Sequence, residues 1–228
     1  MALIESREIK NYISISSDAK LRKVVPEGTP GAKERVYETT KKGEDGNFIK
    51  GVKIEKEYES VSGKITDIAF VNTDYGTLLQ VTVTDPFLTD DVEVLSMSTS
   101  NSFAQDFMKK LPNIDLNKEV VLKPFAFTPE GGTRELKGLT VTQDGIKVDK
   151  SFYDNEKKEN IMGMPTPDTK LKDEKNEMKR KHGWKTYFKE IEIFLVDYTT
   201  EHFVSKFNKS ETMESLADDM NAEIPENF

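Results

Sequence analysis

The side chains that most often carry out chemistry are scarce in this chain. It holds two histidines, His182 and His202, and no cysteine. An expected helix separates the two imidazoles, and neither sits in a His-Glu-x-x-His spacing, so no zinc site is indicated. Disulfides, thiolate metal sites and thiol nucleophiles are excluded. No P-loop and no Gly-x-Gly-x-x-Gly occurs. Gly131-Gly132 reads as a hairpin loop rather than a phosphate cradle, because no helix follows it. The 41 acidic residues lie in solvated runs that single out no general acid–base pair. The expectation is a protein that is not an enzyme and uses no metal or cofactor.

Flat rings beside cations are better represented. Tyr58, Phe70, Tyr75, Phe87, Phe125 and Phe127 fall in expected strands or next to turns. Nucleic-acid bases stack on such rings with little sequence preference. Core packing is the alternative use of these rings, and for Phe70 and Phe125 it is an equal one. Tyr75, in a turn beside Gly76, is hard to bury and reads as a contact. Lys64, Lys123, Arg134 and Lys137 could track phosphates next to the rings, although each alone reads as an ordinary surface cation. The run Lys179-Arg180-Lys181-His182-Gly183-Trp184-Lys185 also mixes cations with a ring and could hold a backbone and stack a base. It reads first as a solvated helix end, with Trp184 opening the core of the next element.

The elements that must position these residues follow from periodicity. Within 1–57, Val36 and Tyr37 precede a Gly43-Glu44-Asp45-Gly46 turn, and Phe48, Val52 and Ile54 follow it, which predicts a hairpin. From 58 to 152 the pattern is stronger. Val61, Gly63 and Ile65 alternate with polar residues, and Ile68 and Phe70 continue one step out of phase, so a bulge is expected near Thr66-Asp67. Asn72 to Gly76 is a turn. Leu79, Val81 and Val83 form a half-buried strand, and Val92 to Met97 a third. Ser102 and Gln105 have capping-box spacing. Phe103, Phe107, Met108 and Leu111 share one helical face, and Pro112 ends it. Val120, Leu122, Phe125 and Phe127 supply a fourth strand; Leu136 to Val148 supply a fifth or a short pair. Three strands, a helix and two strands is the element order of the OB-fold, a five-stranded Greek-key barrel whose second and third strands form a binding face.

Residues 153–182 read as a charged linker entering an exposed helix. In 183–209, Trp184, Phe188, Ile191, Leu195 and Tyr198 recur at helical spacing. Ile191, Ile193 and Leu195 would also suit a strand. A helix is favoured, docked on the barrel or on a second subunit, which admits a homo-oligomer. The expected organisation is an N-terminal extension with a hairpin (1–57), an OB core (58–152), a linker and helical segment (153–209), and a disordered acidic tail (210–228). The fold class is mainly β with α additions.

Net charge is -8, which on its face argues against nucleic acid. Its distribution weakens that objection. Residues 211–228 carry six carboxylates and no cation, leaving a body of 35 acidic against 33 basic residues. A nearly neutral body can carry a local basic groove, because a ligand responds to the local field. No basic stretch leads into a long apolar run near the first residues, and no run reaches the roughly 20 apolar residues a membrane helix needs. A cytoplasmic protein without a membrane partner is expected.

The last residues gather Asp218, Asp219 and Glu223 around a short apolar hook of Ile224, Pro225 and Phe228, with Glu226 and Asn227 between Pro and Phe. This end resembles the tail of bacterial and phage single-stranded DNA-binding proteins. Together with the pattern over 58–152 and the chain length, the chain resembles the single-stranded DNA-binding proteins of tailed bacteriophages. The resemblance covers 58–152 by pattern and 216–228 by motif. It implies a replication or recombination accessory protein, working in the host cytoplasm, that coats single-stranded DNA and docks polymerase or helicase through its tail. A protein-binding or structural OB-like module without nucleic acid is the alternative.

Overall fold

The computed structural model describes residues 9–42, 48–85 and 91–207. The turn expected at 43–46, Phe87 and the acidic segment 210–228 lie outside the described residues. The protein is mainly β with C-terminal helices. Its strands are β1 (Ile9–Ile15), β2 (Leu21–Val24), β3 (Lys33–Lys42), β4 (Phe48–Tyr58), β5 (Val61–Thr73), β6 (Gly76–Thr84) and β7 (Asp91–Ser98). Helix α1 (Ser102–Lys110) comes next, then β8 (Glu119–Phe127), β9 (Leu136–Gln143) and β10 (Ile146–Lys147). A two-stranded pair, β11 (Tyr153–Asp154) and β12 (Glu159–Asn160), precedes the long helix α2 (Glu177–Thr199), which ends in a π-helical turn over Thr200–Val204.

Strands β1 to β10 form one ladder in the order β10-β9-β8-β5-β6-β7-β1-β2-β4-β3. This is an open ten-stranded sheet and not a clear five-stranded closed barrel, which corrects the simplest form of the sequence expectation. The flank of β7 is taken by β1, running parallel, with Tyr12 opposite Val94 and Ile13 opposite Leu95. The bulge in β5 lies where the register slips between Ile65 and Asp67. The slip lets Ile65 and Ile68, three residues apart, both turn inward and be fully buried. The β3–β4 hairpin pairs Val36 with Val52.

The edge of β9 explains why the sheet need not close on itself. Asp106 Oδ2 accepts a hydrogen bond from the Leu139 backbone N–H at 2.9 Å, and Lys110 Nζ donates to the Leu139 carbonyl at 2.5 Å. The two side chains also pair with each other at 2.8 Å, and Lys150 Nζ lies 2.7 Å from Asp106 Oδ1. An i,i+4 ion pair on α1 thus satisfies edge groups that a neighbouring strand would otherwise satisfy. Gly138 makes room for it: a Cβ there would lie 2.6 Å from Asp106 Oδ2. Burial pushes the Asp106 carboxyl up, but the hydrogen bonds and charges of Lys110 and Lys150 outweigh it and hold it below its ordinary value.

The helices and the inward strand residues share one core. Leu21, Ile68, Leu79, Leu95, Phe107 and Leu139 are buried in a single cluster with Phe152, Ile191, Leu195 and Phe203. The cap of α1 is Asn101, whose Oδ1 accepts from Ala104 N at 2.8 Å, so Ser102 is the first helical residue rather than the expected cap. Phe152, just before β11, packs edge-on against Phe194 and Tyr198 of α2 at 5.5 and 4.9 Å between ring centres. Thr99 Oγ1 donates to Glu192 Oε1 at 2.7 Å, tying the helix to the end of β7. The segment 183–209 is therefore helical as far as it is described. Its core begins at Ile191, however, and Trp184 is only half-buried, correcting its expected place as the first core residue.

Candidate nucleic-acid interface

Because side chains alternate along a strand, the ladder has a second, outer face opposite the core cluster. Cross-strand register places Lys64 beside Thr84, Thr84 beside Val92, and Val92 beside Lys10. One row along, Thr82 lies beside Val94 and Val94 beside Tyr12. Tyr12 is 55% exposed, a large ring held in solvent by a paired strand. Lys10, beside it on β1, and Lys64, at the β5 end of the same row as Lys10, are both exposed. Between them Thr82, Val92 and Val94 are buried although they belong to this face, so contacts here come from the flanks. Thr66 and Thr84 hydroxyls pair at 2.9 Å.

The face continues onto β8. Val120, Leu122 and Pro124 are buried inward; Val121, Lys123 and Phe125 alternate with them. Phe125 packs against Phe127 at 5.9 Å, and the exposed Phe127 stands opposite the exposed Leu136. Lys123 Nζ meets Glu59 at 3.3 Å, and Lys20 lies 3.7 Å from the same carboxylate. The hydrogen bond from Lys123, then the charges of Lys123 and Lys20, hold Glu59 below its ordinary value. Beyond β1 the outer face carries Arg22 and Arg35, already paired with Glu57 at 3.1 Å and Glu55 at 3.5 Å. That flank is locally neutralised and offers a phosphate less than Lys10 and Lys64, which form no ion pair among the described residues, do.

The residues singled out from sequence do not all meet. Lys64, Lys123 and Phe125 share the outer face. Tyr75, 83% exposed, stands at the tip of the β5–β6 hairpin, where Thr73 Oγ1 accepts from Tyr75 N at 3.2 Å and donates to the Gly76 carbonyl at 2.7 Å. Arg134 is exposed in the β8–β9 loop. Three others are engaged elsewhere. Phe70 lies opposite Leu79 and packs against the core. Lys137 donates to the Ser17 carbonyl at 2.9 Å, tying β9 to the β1–β2 turn. Tyr58 pairs with Leu21 and, with Lys23 and Glu93, lines a 220 Å³ cleft on the inner side. The sequence reading missed Lys10 and Tyr12. The signal was present: Ile13 and Ile15 alternate with Tyr12 and Ser14, which reads as a half-buried strand with its ring outward.

Among the described residues no three His, Asp or Glu side chains are grouped to hold a metal ion, and no helix is long and apolar enough to cross a membrane. No protein-family model, curated protein or solved structure matches the chain.

Proposed function

We propose that this chain binds single-stranded DNA along the outer face of β8, β5, β6, β7 and β1, coating and protecting it during replication or recombination. In this reading the acidic segment 210–228 recruits partner proteins such as a polymerase or helicase. The observation that carries the reading is the exposed Tyr12 ring beside Lys10 on β1, with Lys64 three strands away on β5 in the row of Lys10, on a face that Lys123 and Phe125 extend. Rings on a sheet supply sequence-tolerant stacking, and the cations supply phosphate contacts. Strand order supports an OB-type kernel: β9-β8-β5-β6-β7 are neighbours in that order, with α1 between the third and fourth of them in sequence. On this account β1 and the Asp106–Lys110 pair stand where direct pairing of β7 with β9 would close a barrel.

The test is a length series of labelled oligothymidines with a duplex control. Affinity should rise with strand length, exceed that for duplex, and fall with salt at a log–log slope near -0.7 per phosphate neutralised. A flat salt response, or equal affinity for duplex, contradicts the reading. A protein-interaction module is the second reading, and the β3–β4 hairpin favours it: Val36 and Val52 face each other 60% and 58% exposed.

A further inference from the structure

The first turns of α2 carry a surface separate from the sheet face. The stripe that buries Leu195 and Ile191 runs on towards the helix start through Phe188, Trp184 and Arg180. These last three are each one turn apart and therefore share a face. Phe188 is 46% exposed, Trp184 is half-buried and Arg180 is exposed. The Trp184 and Phe188 rings stack on each other at 6.0 Å and 29°, and Tyr187, which packs against the core, braces Trp184 edge-on at 5.8 Å. The helix is fixed at this end. Asn176 Oδ1 accepts from Lys179 N at 3.1 Å, and Leu171 packs so closely on Gly183 that a Cβ there would collide with it.

Charge selects the occupant. Residues 179–190 hold five bases against one acid. Lys181 is paired with Glu177 at 2.8 Å, whereas Arg180 and Lys185 form no ion pair among the described residues. Packing this face on a second copy of itself would bring like charges together, so an anionic partner is favoured. A flat ring pair with unpaired cations around it suits a base and its phosphates.

We propose that this surface is a second contact for single-stranded DNA, with a base on the Trp184–Phe188 stack and phosphates on Arg180 and Lys185. The proposal rests on the single-stranded DNA reading above and extends the path of the strand from the sheet onto α2.

Trp184 is the only tryptophan in the chain, so its emission reads this surface alone. Full-length protein is titrated with a dye-labelled oligothymidine while tryptophan emission and dye anisotropy are followed together. Emission should be quenched in step with anisotropy. Trp184→Ala should weaken binding by about tenfold, within the range for loss of one stacked base. Arg180→Gln, an exposed change that keeps the rings, should lower the salt slope by about 0.7 without moving the melting temperature. Anisotropy that reports binding while emission and the Arg180→Gln slope stay unchanged overturns this surface and leaves the DNA reading standing. No binding in either channel removes both. Emission that shifts when Asp218 and Asp219 are changed to Asn without DNA, and ignores oligothymidine, assigns the surface to the acidic segment and overturns the proposal.

Discussion

The two faces of the same strands are built from different residues and answer to different demands. Inward, β5 to β7 present Ile65, Ile68, Leu79, Val81, Leu95 and Met97, all buried in a cluster shared with α1 and α2. Outward, the same strands and β1 present Lys64, Thr84, Gln80, Ser96 and Tyr12, with Val92 and Val94 buried among them. Alternation at a period of two allows both within one chain. The inner face should therefore set stability and the outer face binding, with little exchange between them.

The largest expected effect lies at the sealed edge of β9. Asp106→Ala leaves Lys110 buried without its carboxylate and Leu139 N–H without an acceptor. It should cost about 3–5 kcal/mol by urea unfolding. Asp106→Asn gives the pH test. The folded carboxyl is held below its ordinary value, so its contribution is fully present above the unfolded value of about 4 and is lost as pH falls through the lower folded value. The stability gap between wild type and Asp106→Asn should close in that acid window; a gap that stays constant would show that the charge plays no part.

Inside the inner face, Leu79→Ala should cost about 2–5 kcal/mol and leave oligothymidine affinity unchanged in the folded variant. A binding loss larger than the unfolded fraction explains would break the separation of faces. Removing residues 211–228 should raise DNA affinity at low salt, because six carboxylates tethered nearby compete with phosphate, and the gain should fade as salt rises. The smallest effect is expected at Glu59. Glu59→Gln frees Lys123 from an exposed carboxylate and should tighten binding slightly at low salt, with melting unchanged; weaker binding would show that Lys123 needs Glu59 to hold its position.

Much of the fold was legible because the signals were local. The β5 bulge followed from a phase slip between Ile65 and Ile68, and the β3–β4 hairpin from apolar runs around a glycine-rich turn. The buried face of α1 followed from Phe103, Phe107 and Leu111. Ser102 and Asn101 are both good caps, so a one-residue error there has no sequence remedy. What escaped was non-local. The pairing of β1 with β7 joins residues some eighty positions apart, and the Asp106–Lys110 seal depends on where α1 meets β9. Helical spacing showed that Trp184 and Ile191 share a stripe. It could not show that burial starts only at Ile191, because periodicity gives the face of a helix and not the depth at which its neighbours begin. Of the residues proposed for the outer face, Lys64, Lys123 and Phe125 were singled out from sequence; Lys10 and Tyr12 were not, because their strand joins that face only by pairing with β7 far along the chain.

Tyr12→Ala carries the most direct test. Its affinity for labelled oligothymidine is measured beside its melting temperature. Binding should weaken by roughly 1–3 kcal/mol, as expected for one lost stacking ring. Stability should stay within about 0.5 kcal/mol of wild type, as for an exposed site. Unchanged affinity in a variant that melts like wild type would contradict the assignment of the outer face as the DNA-binding surface.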